Sequence, residues 1–124
     1  MDFSAWSPRL LSVLRIVAGL LFLEHGASKL LHFPIPAPMA LSTLLIAAGV
    51  IELVGGALVA VGLFTRLAAF IMSGEMAIGY FMFHAPKSVF PLVNGGDGAI
   101  LYCFIFLYLA AAGAGPWSID AKRR

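Results

Sequence analysis

The chain buries titratable side chains in stretches that are otherwise apolar. Glu24, His25 and Lys29 stand within "GLLFLEHGASKLL", Glu52 within "GVIELVGG", Glu75 within "MSGEMAIG", and His84 closes "GYFMFH". Carboxyl and imidazole groups accept and release protons, while an ammonium can hold a carbonyl oxygen or an anion. In a low-dielectric interior such groups either pair with one another or receive something polar from outside. Asp97, in "NGGDGA", and His32 add polar groups near the ends of apolar runs, and Arg15 lies in the first run. Other chemistries fit poorly. His25 and His84 fall at different depths, which argues against a shared haem. Ser28 has His25 nearby but no orienting acid, so no hydrolase triad is indicated. "NGGDGA" lacks the strand and lysine of a phosphate loop and reads as a turn. The single cysteine, Cys103, precludes an internal disulfide and a CxxC metal or redox site, and reads as a small buried hydrophobe.

The elements that must position these groups follow from composition. The 124 residues are 61% hydrophobic and 11% charged, with a mean hydropathy of +0.99. A soluble domain of this size has too little interior for so much apolar surface, so lipid must solvate it. The eight basic residues are scattered and form no stripe for nucleic acid. Asp2 precedes any basic residue, and Arg15 and Glu24 interrupt the first apolar run, so that run reads as a retained span and not a secretory signal. The pattern predicts an all-α fold, a single integral-membrane bundle of four helices spanning about 8–31, 39–63, 67–84 and 99–114. Ser7 and Pro8 suit a helix start, and Trp6 suits the interface. "FPIPAP" enforces an extended connector, Thr65-Arg66 makes a tight link, and Gly113 or Gly115 followed by Pro116 ends the fourth span. Trp117 follows as an interfacial anchor.

Four spans put both termini and the Thr65-Arg66 link on one side. That side carries Arg9, Arg66, Lys122, Arg123 and Arg124, against Lys29 and Lys87 on the other. The positive-inside rule then places both termini in the cytoplasm of a plasma membrane. Glu52 and Glu75 fall near the middle of their spans, and His25, Lys29, His32, His84 and Asp97 toward the outer side. At 100° per residue, Arg15, Ala18, Gly19, Phe22, His25, Gly26 and Lys29 share one broad face. Ala48, Glu52, Gly56 and Ala60 recur every four residues, a spacing of small residues that brings helix backbones together. Glu24 points away from its neighbours. A central acid costs about 2.5–3.5 kcal/mol on insertion scales, against about 0.3–0.6 returned by each large apolar residue. Each span tolerates one, but three need partners, protons or a wet cavity.

Two arrangements satisfy that need. In the first, Arg15, Glu24, Glu52 and the other charges form a structural polar core that fixes helix register. In the second, His25, Lys29, Glu52, Glu75, His84 and Asp97 line an outward-opening pocket for a small polar or quinone-like ligand. A proton pathway is a third use of the same groups. No flavin or metal motif is present, so a redox role would need a partner oxidoreductase subunit. A scaffold subunit and a small-molecule transporter are the alternatives from other classes, though the prolines lie in loops and not mid-span. The small-residue seams also allow self-association.

The same residues resemble the DoxX family of small bacterial membrane proteins. "LRIVAGLLFLEHGASKLLHFP" is similar to that family's first-helix pattern, with an early Arg (Arg15) and a His-Gly-x-x-Lys (His25 to Lys29). "GVIELVGGALVAVGLFTRLAAF" resembles its second block, with Glu52, the Gly55-Gly56 pair and a Gly-Leu-x-Thr-Arg turn. "NGGDGAILYCFIFLYLAAAGAGPWSID" looks like the closing block, where Asp97 stands at a position commonly held by a longer Glu. The resemblance implies a four-helix protein of the bacterial inner membrane. It also implies a link to quinone-dependent oxidoreductases, oxidative stress and resistance to quinone-like compounds. It assigns no active site.

Overall fold

The computed structural model describes residues 2–123. The chain forms α1 (Ser7–Leu31), α2 (Thr43–Val61), α3 (Thr65–Gly79), α4 (Pro91–Asn94), α5 (Asp97–Ala112) and α6 (Ile119–Lys122), with no strand among the described residues. The fold is an all-α membrane bundle. Three of its helices are long and apolar enough to cross a bilayer: α1 with its leading turn, α2, and α3 with the turn that continues it to His84. The fourth, α5, has 16 residues and rises about 24 Å, a little under the roughly 30 Å hydrocarbon thickness.

Local chemistry moves several boundaries. Ser7 is the first residue of α1 and not its cap. A single tight turn, Ser4–Trp6, leads into the helix, and the Ser4 N–H donates to the Asp2 carboxylate at 2.9 Å. His32, in the left-handed region at φ 56°, closes α1. The second span starts at Thr43 and not at Met39, because Pro34, Pro36 and Pro38 keep the connector out of the helix. Ser42 then caps it, its hydroxyl accepting from the Leu45 N–H at 3.1 Å. Gly62, at φ 73°, ends α2, so Thr65 and Arg66 belong to α3 and not to the link. The last turn of span three is a π-turn, Tyr80–His84. The fourth span starts at Asp97, two residues before the expected Ala99, and stops at Gly113. The sequence reading did not foresee α4 or α6.

Packing follows the glycines. Helices α1 and α2 run antiparallel with the most extensive contact in the molecule, and α3 with α5 forms the second close pair. A Cβ at Gly19 would lie 2.5 Å from the Ala60 nitrogen, and one at Gly56 would lie 2.5 Å from the Leu23 nitrogen; a Cβ at Gly26 would run into the Leu53 backbone. These are backbone-to-backbone contacts that only glycine permits. Gly55, on the next face of α2, receives the Met72 sulfur of α3, which a Cβ would meet at 2.7 Å. Phe22 of α1 fills the gap to α5, its ring meeting Phe106 at 4.7 Å and Tyr102 at 4.9 Å. These rings, with Val59, Ala69, Met72 and Leu109, form the core.

Candidate functional site

Lys29, Glu52 and Glu75 come from three different helices and meet inside the bundle. Glu52 lies halfway along α2 and is 2% exposed, because Gly49, Gly55 and Gly56 bring its neighbours close on both sides. Lys29, two residues before the end of α1, reaches down to it: its ammonium donates to Glu52 Oε1 at 2.6 Å. From α3, Glu75 turns its carboxyl toward Glu52 and Lys29, and its Oε1 is buried with no hydrogen-bond partner among the described residues. Two carboxyls thus face one ammonium. Their charges balance only when one carboxyl carries a proton. The group can therefore lock three helices in register, hold a proton, or hydrogen-bond a polar ligand.

The remaining predicted residues lie elsewhere. His25 is exposed on α1, with its ring 6.4 Å from that of Tyr102. It does not join Lys29, because Gly26 and Lys29 turn inward while His25 lies at the rim of the helix face. His84 belongs to a separate cluster: Nδ1 lies 3.1 Å from the Asn94 carbonyl, and its ring stacks near Tyr80. Asn94, buried, organises that cluster, donating to Tyr80 Oη at 3.1 Å and the Ser88 carbonyl at 3.0 Å while accepting from the Gly96 N–H at 2.7 Å. Asp97 is exposed in the first turn of α5, where the helix dipole favours an acid. Two members of the expected polar core are corrected. Glu24 is exposed and makes no hydrogen bond or ion pair among the described residues. Arg15 is 1% exposed but pairs with no glutamate; it donates to the carbonyls of Ala114 and of Trp117, the latter at 2.6 Å. Arg15 lies fourteen residues before Lys29, about 21 Å along the helix, which puts the two charges near opposite ends of the bundle. Cys103 is half-buried, and the Ser73 hydroxyl donates to its carbonyl at 2.7 Å.

Sequence reasoning missed the assembly at the terminal end. The Ser12 hydroxyl accepts from the Trp117 N–H at 3.1 Å. Asp120 accepts from the Phe64 and Thr65 N–H groups, each at 2.9 Å, and so caps α3 from a distant part of the chain. Burial pushes the Asp120 carboxyl up, but the Thr65 and Phe64 hydrogen bonds and Arg123 outweigh it and hold it below the usual carboxylate range. Arg66 donates to the carbonyls of Ala110 and Ala111 at the end of α5. A depression of about 460 Å³ opens at this end, between Arg66, Gly113 and Asp120, far from Lys29. The C-terminal segment is thereby strapped to α1 and α3, and the only sequence hint was an arginine in an apolar helix.

The DoxX family model matches residues 10–85. The chain belongs to the DoxX family. Lys29, Glu52 and Glu75 all lie inside the matched region, whereas Asp97 and the strap residues lie outside it. This DoxX protein is also 44% identical, over 128 residues, to an uncharacterised protein of Haemophilus influenzae, with 98% of the present chain and 96% of that relative covered. No solved structure matches it.

Proposed function

We propose that this DoxX protein is an accessory component of a quinone-linked redox or detoxification system in the bacterial inner membrane, with both termini in the cytoplasm. The observation that carries the reading is the Lys29–Glu52–Glu75 group, in which the Glu75 Oε1 is left unpartnered inside the bundle. Quinone reduction consumes protons as well as electrons. A partner oxidoreductase supplies the electrons, and Glu75, the carboxyl not engaged by Lys29, exchanges a proton or hydrogen-bonds a quinone oxygen. The orientation is supported by Arg9, Arg66, Lys122 and Arg123 at the strapped end; Arg124 lies outside the described residues.

A soluble short-chain quinone should raise the melting temperature of the detergent-purified protein. Glu75→Gln keeps the shape of the side chain and should remove that rise. Equal stabilisation of parent and Glu75→Gln, or none for the parent, refutes the reading. A second reading has its own support. Lys29 and Glu52 already satisfy each other at 2.6 Å, as in a register lock within a scaffold subunit. In that case quinone has no effect, and the protein co-purifies with a partner subunit whether or not Glu75 is changed.

A further inference from the structure

The outward side of α1 carries Glu24 and, at its edge toward α5, His25, whose ring lies 6.2 Å from that of Phe22 and 6.4 Å from that of Tyr102. Glu24 and His25 are both exposed, and neither makes a hydrogen bond or ion pair among the described residues. They are flanked by a regular apolar seam. Leu10, Leu14, Val17 and Leu21 are 54%, 36%, 49% and 41% exposed, and with Glu24 and Ser28 they recur at alternating intervals of four and three residues. That is the spacing of a left-handed helix pair. The other faces of α1 are used by α2 and, through Phe22, by α5, and among the described residues α5 reaches only the edge of this seam, with Tyr108 beside Leu10 and Leu14.

We propose that α1 pairs with α1 of a second copy of this chain. Two copies inserted in one membrane share an orientation, so their first helices meet in parallel about a two-fold axis. Glu24 and His25 are neighbours 100° apart around the helix and straddle the centre line of the seam. The two-fold axis then sets Glu24 of one copy opposite His25 of the other, and His25 opposite Glu24, at one depth. The pair is self-complementary in charge and in donor and acceptor. Lipid offers neither group a partner. The contact uses the outward face of α1, so the inward Lys29–Glu52 pair is untouched and the inference does not depend on the quinone reading.

Single cysteines in a Cys103→Ser background test this in native membranes. Oxidation of Val17→Cys and Leu21→Cys should give a band at twice the 13.2 kDa monomer mass. Val54→Cys on α2 and Phe70→Cys on α3, both more exposed than Val17 and Leu21, should not. Glu24→Lys should abolish the crosslink at Leu21→Cys, and adding His25→Glu should restore it. Failure of both α1 positions to crosslink, or equal crosslinking at the control positions, overturns the proposal. A crosslinked band of some other mass also overturns it, since the seam then belongs to a different protein.

Discussion

Cutting the Lys29–Glu52 pair is the most direct probe of the buried polar group. The two side chains are 14% and 3% exposed, so this is an interior pair. Removing one member of such a pair costs about 3–5 kcal/mol, because the other is left charged and unmatched. Lys29 keeps some contact with the surroundings, which places Lys29→Met near the lower end, about 3 kcal/mol. Glu52→Gln should cost less, about 1–3 kcal/mol, because it keeps a hydrogen-bond acceptor and Glu75 stays within reach of Lys29. Replacing both with apolar residues, Lys29→Met with Glu52→Leu, should cost less than the sum of the two matching single changes, because no orphaned charge remains. A double-mutant cycle followed by reversible unfolding in mixed detergent micelles measures that coupling. A value of about 2 kcal/mol is expected. Additivity within about 0.5 kcal/mol would refute the pairing as an energetic unit.

The glycine seam gives a paired test. Gly56→Ala should destabilise by about 1–3 kcal/mol through overpacking against Leu23. Gly74→Ala, where an added Cβ meets nothing within 4 Å, should be neutral or stabilise by up to about 1 kcal/mol in the same thermal assay. Asp120→Ala should cost about 0.5–2 kcal/mol through loss of the α3 cap, and hydrogen exchange should rise first at Phe64 and Thr65. Because the folded Asp120 carboxyl titrates below its unfolded value, its stabilisation is complete above about pH 4 and fades as pH falls through the lowered value. Asp120→Asn should therefore flatten that acid limb of a stability-against-pH curve. Asn94→Ala should leave the Gly96 N–H unpaired and speed exchange in the Ser88–Gly96 loop, with little change in α1 and α2.

Particular residues show how far the chain could be read without coordinates. The membrane class and the helical fold were legible because hydrophobic excess and proline position act locally and additively. Glu52 was legible for the same reason: glycines every few residues mark a face on which no lipid chain fits, and an acid on that face must meet another helix. Boundaries slipped where a capping group lay off the hydrophobic pattern. Ser42 ends the connector three residues after Met39 for that reason. Arg15 is buried as a structural polar residue, as expected, but its partners and the exposure of Glu24 were not foreseen. Helix periodicity states which direction a side chain leaves its helix, but not which neighbour stands there. Arg15 meets carbonyls from residues about a hundred positions away, and Glu24 makes no hydrogen bond or ion pair among the described residues.

The sequence alone determined that four apolar segments cross or enter a bilayer, that each of the first three carries charge inward, and that α1 and α2 can approach closely. Hydropathy and the absence of a side chain are properties of single residues and survive any arrangement. Only the tertiary structure decided that Lys29 chooses Glu52, that Glu75 is left over, and that Arg15 holds the C-terminal strap. Those outcomes depend on the rotation and offset of helices separated by long stretches of chain. A shift of one residue along a helix turns a side chain by 100°, enough to exchange a partner for lipid.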